Sequence, residues 1–301
     1  MAVVLIAGGS GLVGTRLSEM LKEKGYETII LTREVGAGQA VWNLEEGTID
    51  LAAISKADFI IHLAGASVAE KRWTKKRKIE IAKSRTDSSA LLIQALKTTK
   101  HQVKAFISAS AIGWYGPDTT ISREQGFSET DPSSNDFLGE TCNAWEASVM
   151  PVMNLGIRLV VLRTGIVFSD AGGFLASFKK PIHTGIAPIL GNGKQVISWI
   201  HVDDLCRMYI HAMEHENIQG VFNAVAPSPV SNEKLVLALA KKLKGSFFIP
   251  VHIPSFLLKI LFGEMSIEVL KSTSVSCSKI KQQHFQFIYP SMEATLEDLI
   301  K

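Results

Sequence analysis

An apolar run, Val3-Val4-Leu5-Ile6-Ala7, breaks directly into Gly8-Gly9-Ser10-Gly11-Leu12-Val13-Gly14. Few patterns restrict a chain more tightly. Read from Gly9 it is G-x-G-x-x-G, and Gly8 extends it to G-x-x-G-x-x-G. Glycines there allow a tight turn between strand and helix and let the backbone approach a pyrophosphate, whose charge rests at the positive helix N-terminus. The strand before and the helix expected after it supply the context the motif needs. Gly8, Ser10, Gly11, Leu12, Val13 and Gly14 are therefore the predicted dinucleotide-phosphate residues. An ordinary strand–helix turn is the bland alternative. Two competing motifs fail: a P-loop needs Gly-Lys-Ser/Thr, but Gly14 precedes Thr15-Arg16, and a nucleophile elbow needs glycine where Leu12 stands.

The first half continues in the same rhythm. Apolar runs at 3–7, 28–31, 59–63, 105–108 and 160–163 read as buried strands. Helical patterns fill 15–24, 73–97 and 137–155, the last interrupted near Pro151. Apolar strands alternating with helices predict an α/β fold, a Rossmann-type doubly wound parallel sheet covered on both faces. Residues 1–165 are expected to form an NADP-binding domain. Beyond 166 the texture changes: 180–193 reads as loop, 203–215 and 232–244 as helices, and 221–225 as a strand returning to the sheet. Residues 166–301 are expected to be a smaller, interleaved substrate-side region. Its tail, from about 250, mixes short helices with turns. Phe256, Leu257, Leu261 and Phe262 are expected to dock on the main body and wall the pocket.

Composition excludes several classes. Lysine and arginine exceed aspartate and glutamate by three in 301 residues, too little for nucleic-acid binding. No apolar run reaches the roughly 18 residues a membrane helix needs, so no membrane partner is expected. The opening residues lack a positive n-region and are not expected to be a signal peptide. Cys142, Cys206 and Cys277 are odd in number and widely spaced, fitting neither a disulfide framework nor a metal site. A cytoplasmic location and no bound metal follow.

The end of the second strand selects the cofactor. An NAD reader places Asp or Glu there for the ribose hydroxyls. Here the chain reads Leu31-Thr32-Arg33-Glu34. Arg33 could bind a 2′-phosphate by charge-assisted hydrogen bonds, with Thr32 adding a hydroxyl, which predicts NADP(H). A solvated Arg33, with Glu34 as ribose ligand, is the other reading.

Four further blocks resemble the extended short-chain dehydrogenase/reductase superfamily. They are Asp58-Phe59-Ile60-Ile61-His62-Leu63-Ala64-Gly65, the segment from Ser108 to Gly116, Leu162-Arg163-Thr164-Gly165-Ile166-Val167, and Trp199-Ile200-His201-Val202-Asp203-Asp204-Leu205. The resemblance implies that Leu63, Ala64, Gly65 and Ser108 lie beneath the cofactor and that Arg85 passes beside its phosphates. A salt-bridged surface arginine is the bland reading of Arg85. Pro254-Ser255-Phe256-Leu257-Leu258, Leu261-Phe262-Gly263-Glu264-Met265 and Phe285-Gln286-Phe287-Ile288-Tyr289-Pro290 resemble the short C-terminal domain of a sugar-epimerase-like atypical subfamily, usually labelled "epimerase family protein". The implied activity is that of an oxidoreductase or epimerase on a small molecule.

The superfamily's catalytic pair is nevertheless absent. That chemistry needs Tyr-x-x-x-Lys, the tyrosine as general acid/base and the lysine lowering its pKa. The four tyrosines, Tyr26, Tyr115, Tyr209 and Tyr289, are followed four residues on by Ile30, Thr119, Met213 and Glu293. By resemblance Phe137 and Thr141 stand in the pair's positions. Nucleotide-sugar epimerases carry Asn where Ile166 stands and Arg where this chain reads Ile197-Ser198, both holding the diphosphate. The expected substrate is therefore not a nucleotide-diphosphate sugar.

The remaining catalytic candidates each have a bland counterpart. Ser110 matches the family's catalytic serine by position but could be a strand-end serine bonding backbone. Tyr115 could act as acid/base or be a packed loop tyrosine. His201 with Asp203 invites catalysis, yet Asp203 suits a helix N-cap and His201 a hydrogen bond at the domain joint. Lys71, Arg72 and Lys75 to Lys78 read as a solvated basic face, with attraction of a phosphorylated ligand as the minor alternative. Two functions stay open: an atypical NADP(H)-dependent oxidoreductase or epimerase-like enzyme, and a non-catalytic NADPH-binding sensor or scaffold. Monomer and homodimer both fit, the latter through helices 73–97 and 137–155.

Overall fold

The structure is a computed structural model describing residues 1–33, 36 and 39–300. In chain order its first half comprises β1 (Val3–Ala7), α1 (Leu12–Glu23), β2 (Glu27–Thr32), β3 (Gln39–Asn43), β4 (Thr48–Ile49), α2 (Leu51–Lys56), β5 (Phe59–His62), α3 (Lys75–Thr98), β6 (Ala105–Ala111), α4 (Thr120–Gln125), α5 (Phe137–Val149) and β7 (Arg158–Thr164). Then follow β8 (Ile166–Phe168), α6 (Phe174–His183), β9 (Ile186–Leu190), β10 (Val196–Ile197), β11 (Trp199–His201), α7 (Val202–Glu214), β12 (Gly220–Ala224), β13 (Val230–Ser231) and α8 (Asn232–Lys244). The chain ends with β14 (Ile249–Ile253), α9 (Ser255–Phe262), α10 (Ser266–Leu270), α11 (Ser278–Gln282) and α12 (Met292–Leu299).

The main sheet has the order β12-β7-β6-β5-β1-β2-β3-β4, parallel except for β4 against β3. This is the expected doubly wound Rossmann-type sheet. Side chains alternate across a strand, so β1 feeds two cores at once. Val4 and Ile6 pack with Leu17 and Leu21 of α1 and with Leu205 and Tyr209 of α7. Leu5 and Ala7 pack with Ile54 of α2 and with Leu92 and Leu96 of α3. A third core, around Phe168, Leu175, Trp199, Leu235 and Leu296, joins α6, α8 and α12.

Two readings of the sequence, of residues 180–193 and of the tail, are corrected, and one, the break near Pro151, holds. Residues 180–193 are not loop: they hold the end of α6 and all of β9, which pairs in parallel with β14. Pro181, Pro188, Gly185 and Gly191 disguise the strand, and Pro188 and Pro250 are accommodated because the pair is a two-stranded sheet with free edges. The α5 helix does stop before Pro151, the chain continuing as a 3₁₀ turn over Met150–Leu155. The tail's apolar residues do not all dock: Phe256, Leu257 and Leu261 are exposed, and Leu258 and Met265 are the anchors. A helix of eight residues can bury only one face, and here that face is Leu258.

Candidate functional site

Ligands of open α/β sheets bind where strand order reverses, in the crevice beyond the strands' C-terminal ends. That point lies at β1, which has β2 on one side and β5 on the other. The glycine loop emerges there. Gly8 adopts φ +83°, and a Cβ on it would stand 2.8 Å from Ala64 N and Leu63 C. A Cβ on Gly14 would stand 2.5 Å from Gly8 O and Gly9 Cα. Gly11 is different: its nearest neighbour would be Gly8 O at 3.4 Å, leaving its outer side clear. Gly11 is also the N-cap of α1 and supplies no capping side chain. The first-turn N–H groups are thus left for an outside acceptor. This is a cradle of the shape and polarity a pyrophosphate needs.

A cavity of about 730 Å³ opens beside it. Ser10, Gly11 and Thr15 line one wall; Asp170, Gly173 and Asp203, from the second half of the chain, line the other. Arg16 ties the two halves, its Nε donating to Asp203 Oδ1 at 2.7 Å and Nη2 to Oδ2 at 3.0 Å. The pair holds the Asp203 carboxyl below its ordinary range. Asp203 is therefore not the helix cap expected of it. His201 is, its Nδ1 accepting from Asp203 N at 3.0 Å. The ring is buried and stacked on Tyr289 at 3.8 Å, and burial lowers its pKa. His201 and Asp203 thus stand at the joint between the two halves, on the cavity wall.

The other expected cofactor residues fall into two groups. Leu63, Ala64 and Gly65 leave β5 directly under the glycine loop, and Thr32 ends β2, followed by exposed Arg33. Thr32 Oγ1 lies 3.4 Å from Gln39 Oε1. Glu34, the alternative ribose ligand, lies outside the described residues. Arg85 does reach this region: its Cζ would be 3.0 Å from a Cβ on Gly65. Its Nη1, however, donates to Ala66 O at 3.1 Å and Ile81 O at 2.7 Å, and its guanidinium lies over Trp145. Burial lowers its pKa. Ser108 is wholly buried, with its hydroxyl on Ala109 O at 2.9 Å and 3.5 Å from His62 Nδ1, so its side chain is not on the cofactor face.

Both catalytic candidates, Ser110 and Tyr115, lie buried. Ser110 donates to Glu146 Oε1 at 2.7 Å. Glu146 also receives Arg163 through Nε at 2.8 Å and Nη2 at 2.9 Å. Arg163 Nη1 then donates to the Tyr115 hydroxyl at 3.0 Å, which lies 2.7 Å from Asn223 Oδ1 and 2.9 Å from Ser128 O. Tyr115 has no solvent exposure and stacks on Phe127 at 5.0 Å. Burial pushes its phenol up to about 12, against the pull of Arg163. It is the packed tyrosine, fixed in an interior chain from Ser110 to Asn223. Sequence reasoning missed Glu146 and Asn223, which carry no motif and meet the others only in space. It also missed Asp204, whose carboxylate accepts from Ile288 N at 2.9 Å and Tyr289 N at 2.8 Å and so pins the tail.

At the position assigned to the missing acid, Phe137 meets Trp73 edge-on at 4.9 Å, with Lys78 Nζ 5.0 Å from its ring centroid. Thr141 Oγ1 donates to Phe137 O at 2.7 Å. Neither residue offers a titrating group. Among the described residues no cluster of His, Cys, Asp and Glu could hold a metal ion.

The comparisons agree with this architecture. A family model for the NAD dependent epimerase/dehydratase family matches residues 4–224, and one for a domain of unknown function, DUF1731, matches 253–299. The chain is 32% identical to "Epimerase family protein SDR39U1" of Mus musculus, covering 99% of both chains. It is 34% identical to "Epimerase family protein SSP1921" of Staphylococcus saprophyticus, covering 98% of both. The crystal structure of human epimerase family protein SDR39U1 (isoform 2) with NADPH superposes with a TM-score of 0.89 at 28% identity, covering 99% of both chains. A UDP-N-acetylglucosamine 4-epimerase from Bacillus cereus shares the fold, with a TM-score of 0.77 at 18% identity over 99% of this chain and 98% of that one. On the family match, its extent and these relatives, this chain belongs to the NAD dependent epimerase/dehydratase family, in the group called epimerase family proteins that ends in a DUF1731 segment.

Proposed function

We propose that this chain binds NADP(H) at the glycine loop and promotes hydride transfer to a small molecule that exchanges its proton with water, not with a side chain. One observation carries the second half of this reading: Tyr115 and Ser110 are sealed inside, while by resemblance Phe137 and Thr141 stand at the usual pair's positions. The NADPH bound in the human relative supports the cofactor assignment. Gly8, Gly11 and Gly14 shape the cradle, Ser10 and Leu12 line it, Val13 turns its side chain to the core and offers its backbone N–H, and Arg33 meets the 2′-phosphate. When bound, NADPH supplies the hydride. The chain's own contribution is to orient the two reactants and exclude bulk water, which alone accounts for large accelerations.

The test is a panel of acceptors with NADPH. Quinones and flavins take their proton from water after reduction, whereas simple ketones need an acid at the oxygen. Turnover of the first class, and none of ketones or UDP-glucose, is the expected result. Tyr115→Phe should retain kcat/KM for any acceptor found. A loss of about 10²-fold or more, the size of a general acid's contribution, would return Tyr115 to the mechanism. Tight NADPH binding with no turnover across the panel would make the protein a non-catalytic sensor.

A further inference from the structure

The outer end of the second half carries an apolar surface built from two segments without a carboxylate. Residues 171–202 and 234–263 contain no Asp or Glu, although the chain has 29 in 301 residues. These two segments are brought together by the β9–β14 pairing. Ile186 sits directly beside Ile249, and Phe247, Ile249 and Val251 follow at every second position, Phe247 being 84% and Ile249 68% exposed. The next element repeats the feature. In α9, Phe256, Leu257, Ile260 and Leu261 are all exposed, spaced along one side of the helix, while Leu258 is buried on the other. A surface helix ordinarily turns such a stripe inward. Lys179, Lys180, Lys241, Lys244 and Lys259 lie on these same segments without a carboxylate partner among the described residues, whereas Lys234 and Lys242 of α8 pair with Glu293 and Glu297 of α12.

Exposed apolar area of this extent marks an interaction surface. Charge decides between occupants. A two-fold contact with a second copy sets the patch against itself, bringing lysine against lysine with no carboxylate in either segment to offset it. A surface of anionic lipid headgroups complements the lysines, and large apolar side chains projecting from a strand edge and a short helix suit the boundary between headgroups and acyl chains. No helix among the described residues is long and apolar enough to cross a membrane, so this contact is peripheral, and it departs from the sequence expectation of no membrane partner, which rested on spanning helices alone. We propose that the protein docks on anionic lipid bilayers through Phe247, Ile249, Phe256, Ile260 and Leu261, with the surrounding lysines on the headgroups.

The test is co-sedimentation of the full chain with vesicles of phosphatidylcholine alone, or with one-third phosphatidylglycerol. Binding to the anionic vesicles, weakened by salt and nearly absent on the neutral ones, is expected. Lys241→Glu with Lys244→Glu should lower partitioning by about 30-fold or more, at roughly fivefold per lysine near an anionic surface. Phe256→Ser with Ile260→Ser should abolish it. All four positions are off the main core, so circular dichroism and NADPH binding should match the parent in both variants. No binding of the parent to anionic vesicles would overturn the proposal. So would a concentration-dependent dimer, seen by sedimentation equilibrium and lost in the serine variant, which would assign the face to a second copy.

Discussion

Arg163 and Glu146 meet side-on in the interior, Nε to Oε1 at 2.8 Å and Nη2 to Oε2 at 2.9 Å, joining β7 to α5. The guanidinium also lies 3.6 Å from the centroid of the Trp114 ring. Arg163 keeps its charge despite burial because the carboxylate and the Tyr115 hydroxyl raise its pKa against the desolvation that lowers it. Removing one member leaves the other charged and unpaired. Glu146→Ala should therefore cost about 3–5 kcal/mol of stability in urea unfolding. Replacing both, Glu146→Leu with Arg163→Met, should recover most of that loss. A single variant within 1 kcal/mol of the parent would show that the pair does not hold these elements together.

The glycine loop separates steric need from conformational need. Gly14→Ala puts a methyl 2.5 Å from two backbone atoms that cannot yield. NADPH affinity should fall below detection in calorimetry, with stability reduced as well. Gly25→Ala is the control. Gly25 has φ +84° but nothing within 4 Å of a Cβ, so the cost should be about 1–2 kcal/mol of backbone strain. Cofactor affinity should be unchanged.

Arg33 directly follows β2 and is exposed. Losing a hydrogen bond to a charged group costs about 1.5–3 kcal/mol, or roughly 10- to 150-fold in affinity. Calorimetry on Arg33→Ala should show that loss for NADPH and little change for NADH. Equal losses for both would place the preference elsewhere.

His62 gives a pH signature. It is fully buried, its Nε2 2.8 Å from Ser88 Oγ, and burial with the nearby Arg85 charge lowers its pKa from 6.5 to about 3. The folded state holds the neutral ring. Its contribution is thus complete above pH 6.5 and is lost as pH falls toward 3. Between those limits the slope is about 1.4 kcal/mol per pH unit. His62→Gln removes the titration, so the parent's stability relative to the variant should decline at that slope from pH 6.5 to 5. A constant difference would show that His62 does not titrate on unfolding.

The strands and the glycine loop were legible because they depend on neighbours in sequence. A five-residue apolar run can be buried on both faces only in a covered sheet, and a glycine cluster at its end can only turn the chain sharply. The absence of Tyr-x-x-x-Lys was legible for the same reason, four residues being one turn of helix. The fate of Tyr115 was not. Its hydroxyl is fixed by Arg163 and Asn223, 48 and 108 positions away, and no local pattern says whether a loop tyrosine points into a pocket or a core. Residues 180–193 failed likewise: Pro188 and Gly191 read as loop until Ile249–Ile253, some sixty positions on, supplies the partner strand. Sequence alone determined the sheet, the phosphate cradle and the missing catalytic pair, since each is set by short-range spacing. Tertiary structure alone decided which polar groups are accessible, because burial and long-range hydrogen bonding depend on what the rest of the chain packs against them.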